Sequence, residues 1–87
     1  PSEFTLKLRQ YIYKRDNCTC QHCGMSEVEH LKIRNQRLHV HHIDYNKQNC
    51  NEDNLVTLCF LCNIKANSNR DYWKNFYQEK IIKMLKR

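Results

Sequence analysis

Turn-forming residues are scarce in this chain. One glycine and one proline occur in 87 residues, so few tight turns come free of steric cost. No stretch is apolar enough to cross a bilayer. The longest mostly apolar run, Leu55 to Cys62, falls far short of the ~20 residues a spanning helix needs. No secretory leader is read in the sequence, which argues against a secreted disulfide scaffold. Repeats and low-complexity segments are absent. Acidic residues are outnumbered, 9 against 15 Lys+Arg, giving a formal charge of +6. That surplus favours a polyanionic partner. Ordinary solubility explains a charge of this size as well, and charge alone does not choose between DNA, RNA and a membrane surface. The chain is expected to be one domain over residues 1–87. A domain of this length buries only somewhat more than ~60% of its unfolded surface, so its core is marginal and a structural metal answers a physical need. The chain begins at Pro1 rather than Met, which leaves open an origin as a piece of a larger protein.

Cysteine, by contrast, is plentiful, with six in the chain. Four fall into two C-x-x-C pairs, Cys20/Cys23 and Cys59/Cys62, the second opening 36 residues after the first closes. Each pair clips one turn, and a metal joins the turns, so the pattern predicts a tetrahedral four-cysteine Zn2+ site. Such a site subtracts two charges and leaves the chain at about +4, still basic. Gly24 follows the second cysteine of the first pair. That position often needs positive φ so that backbone N–H groups point at sulfur, and glycine takes it freely. The ligand pair is therefore Cys20/Cys23 and not Cys18/Cys20. Cys18 and Cys50 are expected to be unligated thiols, although Cys18 could compete for zinc if the knuckle shifts register.

Helical spacing of Phe4, Leu8, Tyr11 and Ile12 predicts a helix over about 4–15, broken at Asp16-Asn17. Ser26 to Gln36 carries conflicting signals. Ser26-x-x-Glu29 is a capping-box pattern, while Leu31 and Ile33 alternate as in a strand. A short helix and an irregular excursion both fit. Leu38 to Ile43 reads as a strand with Leu38 and Val40 on one face and His39 and His41 on the other. Asp44 to Asn54 is a polar, Asn-rich loop. Leu55 to Leu58 is a second strand, and a helix runs from Cys59 to about Asn67. Ser68-x-x-Asp71 can cap a last helix, about 70–86, carrying Tyr72, Trp73, Phe76, Tyr77, Ile81 and Met84/Leu85.

Adjacent histidines in a regular strand point to opposite faces. For His41 and His42 to serve one phosphate, the strand must end or bulge there, and the Asp44-Tyr45-Asn46 turn signal permits it. One imidazole can then ligate a metal while its neighbour stays free as a base, largely neutral at pH 7. Asn63 offers a hard, neutral carbonyl oxygen. With one imidazole it makes an open site suited to Mg2+ or Mn2+.

These residues carry a resemblance. The C-x-x-C-G at Cys20, Leu38-His39-Val40-His41-His42-Ile43-Asp44, Asp53-Asn54-Leu55-Val56-Thr57-Leu58-Cys59 and Cys62-Asn63 together resemble the HNH endonucleases. The spacing agrees, with 12 residues from His42 to Asn54 and 9 from Asn54 to Asn63. The likeness covers about residues 4–77. It implies an α+β fold: a small ββα-metal (His-Me finger) domain stapled by the four-cysteine zinc site, core about 18–70, with flanking N- and C-terminal helices. It further implies that His41 is the first ligand of a catalytic divalent metal and His42 the general base. Asn54 is then the middle Asn whose amide ties down the loop and orients the base, and Asn63 the last metal ligand. The family name expects His at that last position, where Asn is a recurrent substitute, so the chain is an H-N-N variant whose oxygen ligand favours Mg2+. Position 18 is usually aromatic in relatives, and Cys18 departs from that.

The implied function is metal-dependent DNA endonuclease activity, nicking or cleaving double-stranded DNA, in a reducing cytoplasmic compartment of a bacterial or phage-infected cell. Lys65, Arg70 and Lys74, near the site helix, are the expected phosphate contacts. Lys80, Lys83, Lys86 and Arg87 fit either a second DNA grip or complementation of the helix dipole. The remaining groups have plainer readings. His39 is a surface or supporting group, His22 is solvent-facing, His30 has no signal, and Asp44 is a turn aspartate. Asn67 supports the site or caps the helix, and Trp73, Phe76 and Tyr77 are core. Three rivals stand beside the nuclease reading. They are a non-catalytic zinc module that binds nucleic acid, a nuclease part of a larger guided or phage effector that is inactive alone, and a structural zinc-ribbon interaction domain.

Overall fold

The computed structural model describes residues 4–86, so residues 1–3 and Arg87, among them Pro1, lie outside the described residues. Helix α1 spans Leu6–Arg15, and the Thr5 side chain caps it by accepting the Leu8 N–H at 3.1 Å. Its buried face is Ile12 and Tyr13, whereas Tyr11 is exposed. The sequence stripe therefore misassigned one tyrosine. Tyr13 is held inside because its hydroxyl donates to the Leu38 carbonyl and the Arg37 guanidinium lies 4.5 Å over its ring.

Helix α1 stops at Asp16, followed by Asn17 and Cys18 in left-handed conformations. Asp16 does more than terminate the helix. Its buried carboxylate accepts the Thr57 N–H at 2.9 Å and two bonds from Arg15 at 2.8 and 3.0 Å. Arg15 in turn donates to the carbonyls of Glu52 and Leu55, each at 2.6 Å. The buried pair fastens α1 to the strand that follows the loop. A bridge between Thr19 and Ser26 then closes the first knuckle.

Helix α2 spans Glu27–Arg34 with a complete Ser26/Glu29 capping box. The helix reading of this segment holds. Leu31 and Ile33 are both exposed, so their alternation buries nothing and forms no strand.

Strands β1 (His39–His42) and β2 (Leu55–Leu58) pair antiparallel, with His41 opposite Val56 and His42 opposite Leu55. All four residues of β2 are buried. A single 3₁₀ turn over Glu52–Asn54 leads into β2. Helix α3 is Phe60–Ala66, and α4 is Arg70–Leu85. The cap of α4 is Asn69, whose side chain accepts the Tyr72 N–H at 3.4 Å. Ser68, expected in that role, instead donates its hydroxyl to the Lys65 carbonyl at 2.6 Å and closes α3.

One core joins these elements. Leu38, Ile43, Val56 and Leu58 of the sheet region pack with Tyr13 of α1, Tyr77 and Ile81 of α4, and the sulfurs of Cys20, Cys59 and Cys62. The sequence thus folds into a small α+β unit of ββα type, β1–β2–α3, flanked by α1 and α4. No helix among the described residues is long and apolar enough to cross a membrane.

Candidate metal centres and active-site pocket

The four cysteines converge. The Sγ atoms of Cys20, Cys23, Cys59 and Cys62 all lie within 4.8 Å of one another, and Cys23 and Cys59 are 3.7 Å apart. A tetrahedral ion with metal–sulfur bonds of ~2.3 Å needs sulfurs about 3.8 Å apart. Local chain geometry prepares each clip. The Cys23 N–H points at Cys20 Sγ at 3.5 Å, and the Cys62 N–H at Cys59 Sγ at 3.4 Å. Gly24 sits at φ +84°, and a Cβ there would meet nothing within 4 Å. Conformation, not crowding, is the reason for glycine.

Burial pushes the Cys62 thiol up, and the neighbouring cysteines push it further. Burial likewise raises Cys23. At Cys20 burial opposes ionisation, but the N–H groups of Cys23, Cys59 and His22 outweigh it and lower the thiol. Four crowded sulfurs cannot ionise together without a cation between them. Donor set, spacing and electrostatics all fit a divalent metal ion. Cys18 is exposed and stands apart from the cluster, and nothing in the structure explains a cysteine there.

The histidine pair lies in a polar hollow of about 330 Å³, whose lining includes His41, His42, Tyr45, Lys47, Asn63 and Arg70. Both imidazoles reach one hollow because β1 ends at His42 and the chain turns at once. The Tyr45 N–H bonds the His42 carbonyl at 2.9 Å, and Tyr45 takes φ 64°.

His41 is buried, yet its Nε2 has no hydrogen-bond partner. Burial pushes its pKa down to about 4, against the pull of the adjacent Asn63 amide and with further lowering by His42 and Arg70. The ring is therefore neutral near pH 7, with its buried Nε2 unpartnered and the Asn63 amide close by. An orphaned imidazole nitrogen beside an amide oxygen donor fits a hard divalent ion in an open site. His42 is half-buried. Burial lowers its pKa, Asp44 raises it, and Lys47 and Arg9 lower it, for a net fall.

Asn54 locks the loop that separates the strands. Its Oδ1 accepts the Asp44 N–H at 3.0 Å. Its Nδ2 donates to Asp44 Oδ1 at 2.9 Å and to the Asn49 carbonyl at 2.8 Å. Asp44 is the complementary hub. Burial works against its charge, but bonds from the Asn49 amide, the Asn46 N–H and Asn54 hold it below the usual carboxylate range. Short Asx turns continue the loop, with the Gln48 N–H on Asn46 Oδ1 and the Asn51 N–H on Asn49 Oδ1.

The expected cations are placed unevenly. Arg70 lines the hollow and stacks 4.6 Å over Tyr45. The Lys65 ammonium lies 5.4 Å over Trp73, outside that lining. Lys74 is half-buried, and its charge is felt at Asp44. Asn67 caps α3, lines the hollow and donates to the Asn63 carbonyl at 3.0 Å.

Some groups went unread in the sequence. Tyr45 edges His41 at 5.1 Å and donates its hydroxyl to the Ala66 carbonyl. Lys47 lines the hollow, and Cys50 Sγ lies 3.9 Å from His42 Nε2. Nothing but position in a turn-rich loop marked these residues. His22 is not solvent-facing. It sits among Trp73, Phe76 and Tyr77, with Nδ1 3.4 Å from the Tyr77 hydroxyl. Phe76, expected in the core, is on its exposed edge. His30 is fully buried and joins α2 to α3. Its Nε2 accepts the Phe60 N–H at 3.0 Å, so Nδ1 carries the proton it donates to the Gln36 carbonyl at 2.8 Å.

A protein-family model described as HNH endonuclease matches residues 20–69. The match takes in both C-x-x-C pairs, the histidine pair, Asn54 and Asn63. No curated protein and no solved structure matches the chain.

Proposed function

Since the chain belongs to the HNH endonuclease family, we propose that it is a metal-dependent DNA endonuclease that hydrolyses phosphodiester bonds. The observation that most supports this reading is the buried, unpartnered Nε2 of His41 in the same polar hollow as His42. A purely structural domain has no use for an orphaned imidazole there.

His41 and Asn63 would hold a Mg2+ or Mn2+ ion. When bound, that ion supplies electrostatic stabilisation of the charge developing on the phosphoryl oxygens. His42 acts as general base, taking a proton from the water that attacks the phosphorus in line. Its neutral form at pH 7 leaves a ring nitrogen able to accept that proton. Asn54 holds loop 44–53 closed and so fixes where β1 ends and His42 presents its ring. Arg70 at the hollow, with Lys65 and Lys74 nearby, contacts substrate phosphates. The products carry 5′-phosphate and 3′-hydroxyl ends. One base and one site cut one strand per event.

The four-cysteine site holds Zn2+ and acts as a staple, because three of its sulfurs lie in the hydrophobic core. Thiolates of this kind persist in a reducing compartment, and all six cysteines are free. Cytoplasmic action on double-stranded DNA follows as part of the same proposal.

The test is incubation of zinc-loaded protein with supercoiled plasmid, with Mg2+, Mn2+ or EDTA, beside His42→Ala. Metal-dependent conversion to nicked circles by wild type alone is the expected result. No cleavage by folded wild type across many metals would overturn autonomous nuclease activity. It would point to a nucleic-acid-binding module or to a part that works only within a larger effector.

A further inference from the structure

Each ring of the histidine pair is edged by an aromatic ring, and each aromatic ring carries a guanidinium. Tyr45 meets His41, and Arg70 stacks over Tyr45. On the other side Phe4 meets His42, with ring centroids 5.2 Å apart at 73°. Arg9 lies 4.6 Å over Phe4. The two stacks come from distant parts of the chain. Tyr45 and Arg70 flank β2 and α3. Phe4 immediately precedes the cap of α1, and Arg9 lies one turn into that helix.

A guanidinium stacked by its face keeps its in-plane N–H groups free to donate. Arg9 is half-buried, so the stack also restricts where those donors point. Among the described residues the salt bridges engage Arg15 and Arg37, and none engages Arg9. Arg9 also reaches toward the Tyr13 hydroxyl, which takes up one donor of its five; a cation stacked beside the histidine pair with no carboxylate partner keeps donors suited to a substrate anion.

We propose that Arg9, seated on Phe4, binds the substrate phosphodiester next to the scissile one on the His42 side, opposite the phosphate held by Arg70 on the His41 side. The ligand class is a nucleic-acid phosphate, and α1 becomes part of the substrate-binding surface. This proposal rests on the nuclease reading for its register but not for its binding test.

Binding to a short fluorescein-labelled DNA duplex is followed by anisotropy across a salt series, without added Mg2+ or Mn2+. Arg9→Ala is expected to lower the slope of log K against log salt by about 0.9, one phosphate contact. At moderate salt it weakens binding by about threefold to tenfold. Lys7→Ala, an equal charge loss at an exposed position of the same helix, is expected to leave the slope unchanged. Phe4→Ala keeps the charge but removes its seat, and is expected to approach the affinity of Arg9→Ala. Where alanine lowers Tm, Arg9→Gln, which keeps a stem over Phe4, is read instead. Equal slope changes for Arg9→Ala and Lys7→Ala would overturn the proposal while plasmid nicking stands. A selective Arg9 effect in a protein that never nicks would support the phosphate site and sink the nuclease reading separately.

Discussion

Replacing Asn54 with alanine removes three hydrogen bonds at once. The lost bonds run to the Asp44 N–H, the Asp44 carboxylate and the Asn49 carbonyl, at 3.0, 2.9 and 2.8 Å. Asn54 is 6% exposed, so water cannot replace them in place. At ~1 kcal/mol net for each bond, the loss is about 3 kcal/mol. A domain of this size shifts by ~4–8 °C per kcal/mol, so Tm should fall by roughly 12–24 °C. Cleavage should fall as well, because the loop that ends β1 at His42 is no longer closed. Asn54→Asp refines the test. It keeps the acceptor for the Asp44 N–H but sets a carboxylate at the 2.9 Å contact with Asp44 Oδ1. At neutral pH the two charges repel. In mild acid the new carboxyl protonates and can donate again, so Asn54→Asp should regain stability as pH falls, relative to Asn54→Ala. Thermal melts by circular dichroism across pH read both effects. An Asn54→Ala protein melting within about 3 °C of wild type would refute the reasoning, since three buried bonds at the ordinary ~1 kcal/mol cannot vanish unnoticed.

Three further outcomes follow from the geometry. Stripping the metal from the cysteine cluster, or Cys59→Ser, should unfold the chain cooperatively, seen as loss of near-ultraviolet dichroism and restored by Zn2+ in wild type only. His41 has a folded pKa of about 4, below its unfolded value. The unfolded chain therefore binds more protons between pH ~6.5 and 4, and stability should fall as pH drops through that window, by at most about 3 kcal/mol. Without added Mg2+, the difference in melting between wild type and His41→Gln should track this window, and a pH-independent difference would count against it. Asp16→Ala should cost about 2–4 kcal/mol by leaving the buried Thr57 N–H unbonded and the part-buried Arg15 with only its two carbonyl acceptors, read by urea unfolding.

Local chemistry was legible in the sequence, and long-range packing was not. Gly24 marked its knuckle because positive φ is a property of one residue. The Ser26/Glu29 box defined α2 despite the strand-like Leu31 and Ile33, because a strand must bury one side and here neither residue is buried. Tyr13 was missed because its hydroxyl finds its acceptor 25 residues away, at Leu38. The Arg15–Asp16 fastening to Glu52, Leu55 and Thr57 was invisible for the same reason. His30 gave no signal, since its two partners lie on either side of the sheet segment in sequence. Ser68 and Asn69 are equally good caps on paper. The turn closing α3 claims Ser68, and only the neighbouring residue is left to start α4. Of the residues lining the hollow, His41, His42, Asn63 and Arg70 were singled out in the sequence, whereas Asn54 faces away from it into the 44–53 loop. The hollow's aromatic edging by Phe4 and Tyr45 required the fold.

Cys62 and Asn63 are neighbours in the first turn of α3, which Cys59 caps through its own sulfur. One turn of helix therefore belongs to both the core staple and the hollow. The staple fixes the rotation of that turn, and with it the direction in which Asn63 looks. If the sulfur clip is what holds that turn, Asn63 should lose its fixed place opposite His41 when the clip is open, and a metal-starved chain is expected to lose whatever activity the hollow supports.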